Sequence, residues 1–103
     1  MDKKAIGEIK RFKKEMNKHI HADKVIFFGS RAGKRFRKDS DIDLIIVSEK
    51  FVNMNFFKRV AKMYDYWKSG YPVDFICYTP EEFNKLKEEV SIASEALQEG
   101  IEI

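Results

Sequence analysis

Residues 24–47, KVIFFGSRAGKRFRKDSDIDLIIV, decide how this chain folds. The apolar run of residues 24–28 stops at Gly29-Ser30, and a second run, residues 41–47, alternates at first and is then wholly apolar. Apolar runs of this length between turn residues are typical of strands buried on both faces. We therefore predict two strands of one small sheet, joined by a basic loop.

Asp41 and Asp43 lie two residues apart on the second predicted strand. Because strand side chains alternate, both carboxylates project from the same face. Such a pair is costly unless a cation lies between the two groups, and Mg²⁺ prefers converging carboxylates. Asp74 lies in a third apolar run without a local ion partner, so it becomes a third ligand if its strand neighbours the second. An isolated Asp-x-Asp is equally compatible with a turn that caps a strand.

Gly29 and Ser30 stand where the first predicted strand ends. Glycine lets the backbone approach a ligand closely, and free N–H groups with a hydroxyl are donors for phosphate oxygens. Arg31, with Lys34 and Arg35, would add positive charge beside the same anion. Together with the carboxylates, this loop indicates metal-assisted phosphoryl or nucleotidyl transfer.

Hydrophobic periodicity predicts helices over residues 3–20 and 53–68. The second helix has an apolar stripe centred on Phe56, Val60, Met63 and Trp67. Its edges are Phe57, Tyr64 and Tyr66, which we interpret as a protein interface, for a partner or for a second copy of the chain.

The remaining third of the chain predicts a strand over residues 71–78, which contains Asp74. Thr79-Pro80-Glu81-Glu82 has the pattern of a capping box that begins a third helix. Residues 91–98 predict a further short helix, and residues 101–103 an edge strand. This order of elements favours an α/β (α+β) fold, a small mixed sheet of three to four strands covered by helices, in a single domain of residues 1–103.

The composition excludes several classes of protein. The net charge of +3 divides into +9 over residues 1–38 and −6 over residues 39–103, and no apolar run is long enough to span a bilayer. A single cysteine, Cys77, cannot form an internal disulfide. These features predict a cytoplasmic protein with no membrane partner. Nucleic acid is disfavoured as a partner because the basic half shows no recognition motif.

The chain resembles the minimal nucleotidyltransferases of the DNA polymerase beta superfamily, and the resemblance covers nearly its whole length. It rests on Gly29-Ser30-Arg31-Ala32 and on Ser40-Asp41-Ile42-Asp43-Leu44. The resemblance implies a nucleotidyltransferase palm in which Asp41, Asp43 and Asp74 are the catalytic, metal-binding triad. It also implies two Mg²⁺ ions, with Mn²⁺ as a substitute, and contacts from Gly29, Ser30, Arg31 and Ser40 to ATP or another NTP. One departure from the family pattern is Gly33-Lys34, where many members have Arg-Gly.

Members of this size are often antitoxins of an all-helical HEPN toxin, and some transfer AMP from ATP to a tyrosine of that toxin. The resemblance thus implies an enzyme of the toxin-antitoxin type, a protein adenylyltransferase. The alternative is a binding module that masks its partner without catalysis. The intact triad favours the enzyme, because an unneutralised carboxylate cluster with no metal to bind would only destabilise the fold.

Overall fold

The computed structural model describes residues 1–89, 94 and 98–103. Its sheet consists of β1 (Lys24–Phe28), β2 (Ile42–Val47), β3 (Val73–Tyr78) and β4 (Ile101–Glu102), in the order β3-β2-β1-β4. β2 and β3 are parallel, and β1 is antiparallel to both of its neighbours. Three α-helices are present in the described part of the chain: α1 (Lys3–Met16), α2 (Phe56–Tyr66) and α3 (Pro80–Lys87). The predicted fold class, a small mixed sheet covered by helices, is confirmed.

Helices cover both faces of the sheet. On one face, α1 and α2 pack with alternate strand residues such as Phe27, Leu44 and Phe75. On the other face, Phe83 of α3 packs on Ile45 and the strand residues around it. Because alternate side chains of β2 face opposite sides of the sheet and helices cover both sides, nearly every residue of β2 is apolar. Among the described residues, no helix is long and apolar enough to cross a lipid bilayer.

Two predicted helices are shorter in the structure. The first ends at Met16, where Asn17 caps it, although Ile20 in the turn beyond is still buried. The second begins at Phe56 because Asn55 accepts a hydrogen bond from the Lys58 amide and acts as its N-cap. The predicted short helix of residues 91–98 falls mostly outside the described residues. The predicted edge strand at the end of the chain is confirmed, since β4 pairs with β1.

The predicted stripe of α2 is wrong at two positions. Phe56 is 61% exposed. Arg59, a charged residue that the apolar periodicity did not place on the buried face, is buried. Arg59 can be buried because its guanidinium donates to the Met54 carbonyl, to the Cys77 carbonyl and to the Glu82 carboxylate. Hydrogen-bonded partners for each nitrogen remove most of the desolvation cost. Tyr66, predicted at an exposed edge, instead packs against the core.

The capping box is confirmed at the start of α3. The Thr79 hydroxyl accepts from the Glu82 amide, and the Glu82 carboxylate accepts from the Thr79 amide. The preceding strand end carries Cys77, which is a free, buried thiol. Burial raises its pKa to about 12, so the thiol stays protonated and unreactive.

Candidate active site

Two of the three predicted aspartates lie side by side near the beginnings of the two parallel strands. Asp43 of β2 is the register partner of Asp74 of β3, so both side chains project from the same face. This is the α3 face, but α3 packs further along the strands, on Ile45 and Val47. Asp43 is half-buried and Asp74 is exposed. Asp41 precedes β2 and is exposed beside them.

These charges act on one another. Burial raises the pKa of Asp43, and the negative charges of Asp74 and then Asp41 raise it further. The register of Asp43 with Asp74 and the two-residue spacing between Asp41 and Asp43 place the three groups in one region of the molecule. In the described part of the chain, no three acidic, histidine or cysteine side chains form a ready cage around one point. Holding a single ion would therefore require the aspartate side chains to turn toward one another.

Gly29 brings the end of β1 directly onto Asp43. Its backbone has φ 79° and ψ −166°, a conformation that essentially only glycine adopts. A Cβ at this position would lie 2.1 Å from Oδ2 of Asp43. The glycine is thus required twice, by its torsion angles and by the carboxylate packed against it. The backbone at the start of the predicted phosphate loop consequently touches the carboxylate site.

Ser30 and Ser40 lie at the two ends of the loop and face each other. Their hydroxyl oxygens are 2.8 Å apart, and the Ser40 hydroxyl donates to the Arg37 carbonyl at 2.6 Å. Since the Ser40 proton is used in this way, Ser30 is the donor between the two hydroxyls. Gly33 also closes the loop, with its amide donating to the Ser30 carbonyl at 3.0 Å. Ser30 and Ser40 therefore form one hydroxyl pair next to the carboxylates.

Arg31 was expected to contact a phosphate group of the nucleotide, but its side chain points into the protein. Its side chain is buried, and its three nitrogens donate to the Ser40 carbonyl, the Lys38 carbonyl and the Asp2 carboxylate. Because the guanidinium is buried and each of its nitrogens already donates inside the protein, Arg31 holds the loop from within instead of presenting its charge to solvent. The exposed cations of this loop are instead Lys34, Arg35, Arg37 and Lys38.

The whole chain can now be compared with known proteins. The family model described as a nucleotidyltransferase domain matches residues 8–102. The chain belongs to this nucleotidyltransferase family. No curated protein sequence matches this nucleotidyltransferase at a significant level.

One solved structure similar to the nucleotidyltransferase is that of a provisionally assigned nucleotidyltransferase from Sulfolobus solfataricus. The two share 21% sequence identity with a TM-score of 0.58, over 95% of this chain and 83% of the other. At this level of identity the similarity extends to the fold. Membership of the family supports nucleotidyl transfer as the reaction.

The aspartates at the beginnings of β2 and β3 have the oxygen ligands that a hard divalent cation prefers. Nucleotidyltransferase domains typically use divalent metal ions, and the groups gathered here are carboxylates from three aspartates. All-oxygen donor sets are what Mg²⁺ and Mn²⁺ take. The negative charges of Asp74 and Asp41, which add to burial in raising the pKa of Asp43, would also attract a cation.

Two residues of this region were not predicted from the sequence. Tyr64 of α2, expected at an interface, donates its hydroxyl proton to the Val73 carbonyl at 2.6 Å, next to Asp74. Burial raises the pKa of Tyr64, and Asp74 and Asp41 raise it further. Asp2 lies behind the loop, in contact with Arg31. The only sequence signal for Asp2 is its place before an amphipathic run, which is typical of an N-cap.

Proposed function

We propose that this chain is a metal-dependent nucleotidyltransferase that moves a nucleoside monophosphate, AMP from ATP, onto a hydroxyl acceptor. The observation that carries the proposal is the side-by-side placement of Asp43 and Asp74, with Gly29 packed on Asp43. Carboxylates for metal ions and a backbone turn for phosphates then lie in direct contact. Metal ions bound there would neutralise the triphosphate and polarise its α-phosphate.

Each residue has a role in this scheme. Asp41, Asp43 and Asp74 would hold two Mg²⁺ ions, or Mn²⁺ in their place. The Gly29 backbone and the hydroxyls of Ser30 and Ser40 receive the β- and γ-phosphates. The acceptor oxygen forms a bond to the α-phosphorus, the bond from that phosphorus to the bridging oxygen breaks, and pyrophosphate leaves. The exposed carboxylate of Asp74 takes the proton of the acceptor hydroxyl.

We propose further that the acceptor is a tyrosine of an all-helical HEPN-type toxin, which the transfer neutralises. This partner rests on the sequence resemblance. A physical feature that supports a protein partner is α2, whose Phe57 side chain is 88% exposed. Large exposed aromatic side chains are enriched where proteins dock. A second copy of the chain on this surface would be detected as a dimer by light scattering.

The test is transfer of AMP from α-labelled ATP, with Mg²⁺ and the co-expressed toxin, followed by mass spectrometry of both chains. We expect a mass increase of one AMP on the toxin. Asp43→Asn should abolish it, while the complex with the toxin still forms. Phe57→Glu is the matched control, because it should weaken the complex and leave the carboxylates intact. Full neutralisation by Asp43→Asn would instead support the alternative function, a binding module that masks the toxin.

A further inference from the structure

The loop of residues 30–41, which the proposed function assigns to the triphosphate, packs against a buried ion pair between Asp2 and Arg31. Nη1 of Arg31 lies 2.5 Å from Oδ2 of Asp2, and the two side chains are only 6% and 7% exposed. Asp2 is attached twice more, since its Oδ1 accepts from the Ala5 amide and its own amide donates to the Arg31 carbonyl. The start of α1 is therefore tied to the loop through backbone and side chain together.

The other two nitrogens of the Arg31 guanidinium donate to carbonyls at the C-terminal end of the loop. Nε of Arg31 donates to the Ser40 carbonyl at 2.7 Å, and Nη2 donates to the Lys38 carbonyl. The rings of Phe36 and Tyr71 lie 5.9 and 5.1 Å from the guanidinium carbon. A planar, fully charged fork between two aromatic rings can hold two carbonyls in fixed directions.

Fixing Ser40 has direct consequences for the site. The Ser40 hydroxyl is the partner of the Ser30 hydroxyl, and the next residue is Asp41, the first of the three carboxylates. A loop of residues 33–40 that carries mainly charged side chains has few apolar contacts of its own to order it. Its order must then come from a contact behind it, and Arg31 supplies that contact.

We propose that Asp2 and Arg31 are positioning residues, which hold the loop of residues 30–41 in the shape that receives the triphosphate. The proposal rests on the proposed function in naming the triphosphate as ligand. If the loop is ordered only part of the time, the apparent dissociation constant for ATP rises in proportion. Asp2, remote from the carboxylates in sequence, should therefore control nucleotide affinity.

Arg59 with Glu82 provides a matched control. It is also a buried arginine hydrogen-bonded to a carboxylate, with Nη1 2.6 Å from Oε1, and it also holds two backbone carbonyls. One of those carbonyls belongs to Cys77, three residues along β3 from Asp74, or roughly 10 Å at the rise of a strand. Its loss should destabilise the fold without disturbing the loop.

The experiment compares Asp2→Asn, Arg31→Lys and Arg59→Lys in the full chain. Asparagine caps a helix as well as aspartate does, so Asp2→Asn removes the charge and keeps the cap. Arg31→Lys keeps the charge and loses the fork. Two quantities are measured: hydrogen exchange of the Gly33 and Ser40 amides, which close the loop, and ATP affinity with Mg²⁺ by calorimetry.

We expect exchange at Gly33 and Ser40 to be about 10-fold faster or more in both loop variants, with ATP binding weakened about 10- to 100-fold. Arg59→Lys should lower the melting temperature and leave both quantities unchanged. Asp2→Asn provides the decisive measurement if Arg31→Lys folds poorly. Wild-type exchange and affinity in Asp2→Asn, or equal weakening in Arg59→Lys, would overturn the proposal. Faster loop exchange in a protein that binds no ATP would refute the proposed function and leave the ordering role of the pair established.

Discussion

The two ends of the parallel pair β2 and β3 are built on opposite electrostatic principles. At the ends of the two strands, after Val47 and Tyr78, polar groups are neutralised: Ser48 donates to the His21 carbonyl, and Glu82 pairs with Arg59. At the beginnings, Asp43 and Asp74 stand side by side, and the charge of Asp74 adds to burial in raising the pKa of Asp43. One end therefore stabilises the fold, and the other stores repulsion that a bound cation would relieve.

The comparison also separates two kinds of buried arginine. Arg59 joins α2, α3 and the end of β3, which are all parts of the packed core. Arg31 joins the start of α1 to a charged surface loop. A buried ion pair contributes little net stability over an apolar substitute, so the feature that distinguishes the two pairs is what each one positions.

The largest effect is expected at the carboxylate end. An Asp41→Ala, Asp43→Ala double variant should lose nucleotidyl transfer by several orders of magnitude, because the metal ions proposed to align the α-phosphate would lose their ligands. Transfer from labelled ATP to the proposed toxin partner is the measurement. A fall of less than tenfold would break the assignment of this end as the active site.

The opposite end should respond in stability instead of activity. Arg59→Gln should reduce the free energy of unfolding by about 3 kcal/mol, since it leaves buried carbonyls and a carboxylate without their donor. Urea unfolding measures this loss, and transfer at a temperature where the variant is folded should match the wild type.

The stability that the Arg59–Glu82 pair contributes should depend on pH. The hydrogen bond from Arg59 is the main reason that the pKa of Glu82 lies below its usual 4.5. Stability from this group is therefore present above pH 4.5 and is lost as pH falls through the lowered pKa in the folded state. Arg59→Gln should flatten the stability profile in that acidic window, and an unchanged profile would contradict the pairing.

Gly29→Ala tests how tightly the loop is packed on the carboxylate site. It should cost about 2 kcal/mol of stability through its torsion angles alone, with a further loss from the contact with Oδ2 of Asp43. In an Asp43→Ala background the contact with Oδ2 is absent, and the part due to torsion should remain together with the weaker contact to Cβ of residue 43 at 3.2 Å. A double-mutant cycle by urea unfolding separates the two parts, and purely additive losses would show that the contact carries no energy.

The smallest effect is expected for Asp43→Asn without metal. The pKa of Asp43 is raised above 3.8 by burial and by its acidic neighbours, so the folded state binds the proton more tightly than the unfolded state. Wild-type stability should therefore fall as pH rises from about 3.8 through the raised pKa, and Asp43→Asn should lack that fall. The variant should melt a few degrees higher at neutral pH.

Mg²⁺ should raise the melting temperature of the wild type more than that of the Asp43→Asn variant, and equal shifts would contradict a metal role for Asp43.

Much of the fold follows from local patterns. The strands, the capping box of Thr79 and Glu82 and the α/β order are all set by hydrophobic period and turn chemistry, which act between near neighbours. The helix boundaries were less predictable, because Met16 and Phe56 are terminal by virtue of specific caps. The burial of Arg59 could not be predicted from α2 alone, since its partner carboxylate is 23 residues away.

The sequence by itself determined that Asp41 and Asp43 lie close together, that Gly29 ends a buried strand, and that Asp74 sits in a strand without a local counter-charge. These are consequences of strand period and of the cost of burying charge. Only the tertiary structure decided that β3 lies parallel beside β2 with Asp74 in register with Asp43, and that Arg31 is buried against Asp2. Strand order and ion pairing join residues that are 29 or 31 apart in the chain, and such contacts are selected by the packing of the whole core.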